Sequence, residues 1–269
     1  MLINIGFEIV FDNPNPVNML LMLYVRPEKT YLLRKPEIVT LNPYVPLQTY
    51  IDKFGNRVGR LYAPAGRLTL SYDNVVEDSG LLEPSIDGLR VHPVEELPAE
   101  CMEFLVASRY CEVDRMNQMA WDLFGSIPPG TDRVHAVVDW AHRQVKFGYQ
   151  YARPTKTAYD AYVERQGVCR DYQHLAITML RSLNIPARYA TGYLGDIGVP
   201  YNPAPMDFSA WFEVYLGGYW RTMDARHNVP RIGRILQAVG RDAVDVALTT
   251  SFGPSNLVSF KVWTTDIAG

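Results

Sequence analysis

The chain of 269 residues carries 26 Lys and Arg against 29 Asp and Glu and is 48% hydrophobic and 20% charged. That is the composition of a folded globular domain, and it excludes a disordered, collagenous or membrane-bundle protein. The net charge of −3 supplies no overall footprint for nucleic acid or anionic lipid, and the longest apolar run, Met19 to Val25, is far short of the ~20 residues that span a bilayer.

In chain order, Met1 to Val10 reads as a strand and not as a signal peptide, because it lacks a basic leader and carries Glu8 within its apolar stretch. Up to about Leu97, short β-branched and aromatic runs are broken by turn signals at Asn13-Pro14-Asn15-Pro16, Asn42-Pro43, Phe54-Gly55-Asn56 and Ala63-Pro64-Ala65-Gly66. This spacing predicts an N-terminal β-sandwich over residues 1–97. The segment Val91 to Pro98 has two prolines and no periodicity, so it reads as a linker. Beyond it the period becomes helical: Met102, Leu105, Val106, Met116, Met119, Ala120 and Leu123 predict two helices with a break near Tyr110 to Val113. Thr131-Asp132 is a candidate N-cap for a helix burying Val134, Val137, Val138, Ala141 and Val145. Arg188 to Tyr193, Ala210 to Leu216 and Tyr219 to Met223 read as strands, the last two joined by the hairpin signal Gly217-Gly218. Residues 98–269 thus form a second, α+β unit. The tail around Ile232 to Val244, with Arg231, Arg234 and Arg241, reads as a solvated face, with an anion-binding rim as the alternative.

Three cysteines, Cys101, Cys111 and Cys169, are too few and odd in number for a disulfide framework, which places the protein in the cytoplasm. Cys169 is the informative one. Tyr172, Leu175, Ala176, Met179, Leu180 and Leu183 form one apolar helical face, so the cysteine falls in the first turn of a buried helix. Unpaired N–H groups there lower a thiol's pKa and stabilise an oxyanion; the plain alternative is a small buried hydrophobe. A nucleophilic thiol needs a base. His174, five residues on, points about 140° away around the helix. His227, three residues past Asp224, reads as holding a turn, and His92, His135 and His142 lie in the linker or on a helix. No zinc-like spacing occurs, and neither metal nor cofactor is expected. Ser209 lacks the Gly-x-Ser-x-Gly context of a serine nucleophile. The tyrosines of Phe147-Gly-Tyr-Gln-Tyr151 are candidate cleft walls, whereas Trp211 reads as core.

Gly-Val-Cys-Arg-Asp at 167–171, Ala-Trp-Phe-Glu-Val-Tyr-Leu at 210–216 and Asp-Ala-Arg-His-Asn at 224–228 together resemble the transglutaminase-like superfamily, and more narrowly its bacterial cysteine protease branch with an N-terminal β domain. The resemblance implies a papain-like α+β core. It implies Cys169 as nucleophile, Asp224 as the acid that orients the base, and the family histidine immediately before Ala210-Trp211. That position is Ser209, whose hydroxyl is no general base near neutral pH. The implied activity is a thiol peptidase, amidase or acyl transferase acting on peptide or protein amides through a thioester, impaired or altered at Ser209. The alternative is a non-catalytic protein binding a peptide or partner chain in the same cleft. Three readings of Ser209 stand side by side: a change introduced to silence the site, a natural binding protein on an enzyme scaffold, or another imidazole serving Cys169.

Overall fold

A computed structural model describes residues 1–267. Strands β1 (Leu2–Asn13), β2 (Val17–Leu21), β3 (Thr40–Asn42), β4 (Gln48–Ile51), β5 (Arg57–Ala63) and β6 (Gly66–Glu77) occupy the first third of the chain. Alternation shows their burial: Ile3, Ile5, Phe7, Ile9 and Phe11 of β1 and Leu68, Leu70, Tyr72 and Val76 of β6 all face the core. Helices α1 (Val113–Phe124) and α2 (Thr131–Gln144) follow. A short parallel pair, β7 (Lys146–Phe147) and β8 (Gln166–Gly167), encloses α3 (Ala158–Glu164). Then come α4 (Cys169–Ser182), the antiparallel strands β9 (Ala187–Leu194), β10 (Ser209–Leu216), β11 (Tyr219–Met223) and β12 (Arg234–Gly240), and finally β13 (Thr249–Ser251) and β14 (Asn256–Asp266).

Three four-stranded sheets result, ordered β14-β1-β6-β3, β13-β2-β5-β4 and β11-β10-β9-β12. The first two form the expected sandwich, and the third, with α4 packed on it, is the α+β core. The division expected at 97/98 needs amending at its far end, because β13 and β14 return to the N-terminal sheets and β14 pairs β1 along nearly its whole length. The reason is pairing chemistry: β1 is flanked by β6 on one side, and without β14 its other row of N–H and C=O groups would be unpaired. The two units also share a core, in which Phe7 and Tyr193 pack on Phe208 with ring centroids 6.1 and 5.0 Å apart. Asn56 at a sandwich turn exchanges two hydrogen bonds with the backbone of Val239 on β12, at 2.8 and 2.9 Å.

Two local expectations change. Ala99–Phe104 is a 3-10 turn and not an α-helix. Beyond this turn Tyr110 spends both backbone groups on distant partners, its N–H on Asp242 and its carbonyl accepting from Ala158. Thr131 is the first residue of α2 and Gly130 its cap. The hairpin is as read, since Gly217 and Gly218 have φ of 60° and 86°, the left-handed pair a type I′ turn requires. Among the described residues no helix is long and apolar enough to cross a membrane.

Helix α4 is buried on every side, because α1, α2 and α3 cover it where β9 and β10 do not. Its polar side chains are therefore partnered internally. Arg181 donates to the carbonyls of Ala187 and Arg241 and to Ser108, and Gln173 reaches the neighbouring sheet.

Candidate functional site

Cys169 opens α4, and the residues before it determine how. A Cβ on Gly167 would lie 2.6 Å from Oδ2 of Asp171. Glycine thus lets that carboxylate fold back and accept the Val168 N–H at 2.8 Å, closing the first turn. The thiol is half-buried, whereas Cys101 and Cys111 are fully enclosed. It lines a cavity of about 320 Å³ together with Ser209, His227, Tyr149, Asp207 and Arg226. Burial pushes the Cys169 thiol up to about 11, against the pull of the Arg226 guanidinium and, more weakly, of the Ala210 and Arg170 N–H groups; Asp207 adds to the rise. The lowering expected from the helix terminus is overruled by desolvation, so the group rests as a thiol at neutral pH.

Ser209 begins β10 and lines the same cavity. Its hydroxyl is buried and has no hydrogen-bond partner. One residue later the Ala210 carbonyl accepts from Gln173 Nε2 at 3.1 Å, which stitches β10 to the helix of the cysteine.

Asp224 directly follows β11 and lies behind the cavity wall. Its Oδ1 accepts from Gln173 Nε2 at 3.0 Å and from the N–H groups of Arg226 and His227 at 2.9 and 3.2 Å. Its Oδ2 accepts from His227 Nδ1 at 2.8 Å and from both terminal nitrogens of Arg234 at 3.2 Å. Burial alone would raise this carboxyl, but the His227 hydrogen bond and the Arg234 charge outweigh it and hold the group well below the usual carboxylate range. A carboxylate only accepts, so Nδ1 of His227 carries its proton and Nε2 is the nitrogen left free. The chain returns through Asn228 at φ 52°, whose N–H bonds the Asp224 carbonyl at 2.9 Å.

The three residues singled out from sequence therefore come together, Cys169 and Ser209 on the cavity and Asp224 behind it. His227 does hold the 224–228 turn, as expected, but it also lines the cavity. The other histidines are elsewhere: His174 lies between the rings of Tyr110 and Tyr189, with Nε2 accepting from Ala243, and His142 bonds the Ala225 carbonyl. His135 pairs with Asp87 and His92 sits near Glu96. Tyr149 is a cleft wall and Trp211 is core.

Two site residues escape the sequence reading. Gln173, four residues after Cys169, carries a recoverable signal, since i and i+4 share a helix face. Arg234 carries none. The solvated face expected around it is instead β12, largely buried, with the Arg234 side chain 5% exposed between Asp224 and Glu83 and its guanidinium 4.8 Å over the Trp211 ring. Arg231 is buried too, donating to the Gly195 carbonyl. Charge partners distant in sequence make this burial tolerable.

Residues 117–225 match the transglutaminase-like superfamily domain. The structure superposes with a TM-score of 0.83, at 29% identity and covering 100% of this chain and 91% of the other, on the crystal structure of a "putative cysteine protease" from Cytophaga hutchinsonii. An uncharacterized protein of Mycobacterium leprae (strain TN) is 27% identical over 226 residues, 81% of this chain and 79% of that one. With helix α4, the β10–β11 pair and the ordered motifs in place, residues 117–225 are a transglutaminase-like superfamily domain, on a fold shared with the Cytophaga hutchinsonii protein.

Proposed function

We propose that the protein is a thiol enzyme that cleaves or transfers acyl groups at amide bonds of peptides or proteins. Cys169 is its nucleophile and Asp224 the acid that orients the proton-transfer machinery. The observation that carries this reading is a half-buried thiol at the start of a buried helix, opening into a cavity whose wall is braced by the Asp224 hydrogen-bond cluster. The similarity to the Cytophaga hutchinsonii protein and its name support the same chemistry. The sulfur attacks the amide carbonyl, the N–H of Cys169 stabilises the oxyanion, and the amine leaves to give a thioester that water or an acceptor amine resolves. Ser209 takes no proton at neutral pH; its unpaired hydroxyl serves as a hydrogen-bond partner for bound substrate. Turnover is accordingly impaired or altered relative to a site with histidine at 209. Three free cysteines suit a reducing compartment, the cytoplasm.

The test is alkylation of the native protein with iodoacetamide, mapped by peptide mass spectrometry. Cys169 should react at least tenfold faster than Cys101 or Cys111, and Cys169→Ala should abolish covalent labelling by a peptide amide analogue bearing an electrophile. Equal rates at the three cysteines, or labelling that survives Cys169→Ala, would remove the thiol site. A Cys169 that alkylates readily yet never acylates would favour a binding protein on this scaffold.

A further inference from the structure

We infer that His227 is the general base and acid for Cys169, taking over at this site the proton transfer that Ser209 does not perform. The inference rests on the thiol-enzyme reading above and names the group that moves its proton. Three observations carry it. His227 and Cys169 line one cavity, and no other histidine does so. Asp224 takes Nδ1 of His227 at 2.8 Å, which fixes the tautomer, orients the ring and leaves Nε2 as the free acceptor. Ser209, 7% exposed with an unpartnered Oγ facing that cavity, occupies less volume than an imidazole would, so nothing from β10 competes for Asp224 or fills the space before His227.

The carboxylate is already committed. Oδ1 holds Gln173 and two backbone N–H groups while Oδ2 holds His227 and Arg234, so the ring it positions is the one three residues downstream. Besides Asp224 and Arg234 behind it, the charged and titratable groups facing the cavity with His227 are Arg226 beside it in the turn and Cys169, Asp207, Tyr149, Asp196 and Arg231 from the surrounding elements. Arg226 is drawn aside, its guanidinium 4.0 Å over the Phe147 ring, and Arg231 is tied to Gly195 and Asp196.

Proton bookkeeping is complete without further reagents. Nε2 accepts the S–H proton as sulfur bonds the acyl carbon; the imidazolium returns it to the departing amine as the C–N bond breaks. Nε2 then takes a proton from water attacking the thioester and gives it to the leaving sulfur, so acid product and free thiol are restored.

The probe is p-nitrophenyl acetate, which acetylates the cysteine and releases the p-nitrophenolate anion, a leaving group that needs no proton to depart. Mass mapping places the acetyl group, and the decay of acetyl-Cys169 gives the deacylation rate. His227→Ala should slow deacylation at least 100-fold, the usual span for losing a general base, and added free imidazole should restore much of it. Asp224→Asn should slow deacylation as well, and imidazole should not rescue it, because the native ring still fills the site. Rescue separates a proton-transfer role from a merely structural one. Wild-type deacylation in a folded His227→Ala protein, or a slow His227→Ala protein that imidazole fails to rescue, overturns the assignment of His227 while the thiol reading stands. Failure of the wild type to acetylate at Cys169 overturns both.

Discussion

Arg234→Met removes the cation from an enclosed charge cluster and keeps most of the side chain's apolar stem. In the native protein Asp224 and Arg234 have side chains only 3% and 5% exposed, and two guanidinium nitrogens reach one carboxylate oxygen at 3.2 Å while a third reaches Glu83 at 2.5 Å. Breaking a buried pair by deleting one partner costs about 3–5 kcal/mol, because the surviving charge stays desolvated. Asp224 retains Gln173, His227 and two backbone N–H donors, and Glu83 is 20% exposed and regains water. The lower end of the range, about 3 kcal/mol, therefore applies. At this chain length that corresponds to a Tm lower by about 6–12 °C. Urea unfolding at pH 7 followed by circular dichroism measures the change. The double variant Arg234→Met with Asp224→Asn isolates the pair, with a coupling of about 2 kcal/mol expected for contacting charged groups. A loss under 1 kcal/mol for the single variant, or strict additivity in the cycle, would refute the claim that Arg234 stabilises the Asp224 charge.

Gln173→Leu deletes the side chain that joins α4 to Asp224, Ala210 and Ala225; Asp224 keeps its other donors, and the loss of the Gln173 bonds to the Ala210 carbonyl and the Ala225 N–H predicts about 2 kcal/mol of destabilisation by the same unfolding assay. Glu37, enclosed in the sandwich beside Arg57 and the Val25 N–H, has its carboxyl raised by burial to about 7. Because the folded state prefers the protonated form, its ionisation penalty is absent below the ordinary carboxylate pKa, grows as pH rises and is complete above about 7. The stability of Glu37→Gln relative to wild type should therefore climb by about 2–3 kcal/mol between pH 4.5 and 7.5, and a flat difference across that range would contradict the burial argument. Truncation after residue 254 removes β14, the partner of β1 along nearly its whole length; size-exclusion chromatography should then show aggregation, whereas a monodisperse folded product would show the sandwich to be self-sufficient without it. Native proteolysis within Val91–Ala99 should leave two fragments that co-elute, because Phe208, Asn56 and the returning strands join the units on both sides of the cut.

Much of the architecture was legible in the residues themselves. Period-two burial in β1 and β6, the Gly217-Gly218 turn and the apolar face of α4 are local properties, set by side chains within a few residues of one another, and they emerge where the pattern places them. Cys169 at a helix start was legible for the same reason, and the ordered motifs brought Ser209 and Asp224 to the same site. What depended on contacts between distant segments was not. The return of β14 to β1 joins residues about 250 apart in sequence, the segment expected as a helix from Ala99 forms only a 3-10 turn before Tyr110 bonds the distant Asp242, and the thiol is raised to about 11 because the surrounding protein desolvates it more strongly than the helix terminus favours its charge. Arg234 read as solvated because nothing in its neighbourhood of the chain announces Asp224 or Glu83. His227 is the sharpest case: its spacing from Asp224 described the turn correctly, but only the packing of that turn against the start of α4 turns its free ring nitrogen into a wall of the Cys169 cavity. Sequence spacing determines which backbone groups a side chain meets locally, whereas which cavity it lines is decided by the elements that fold against it.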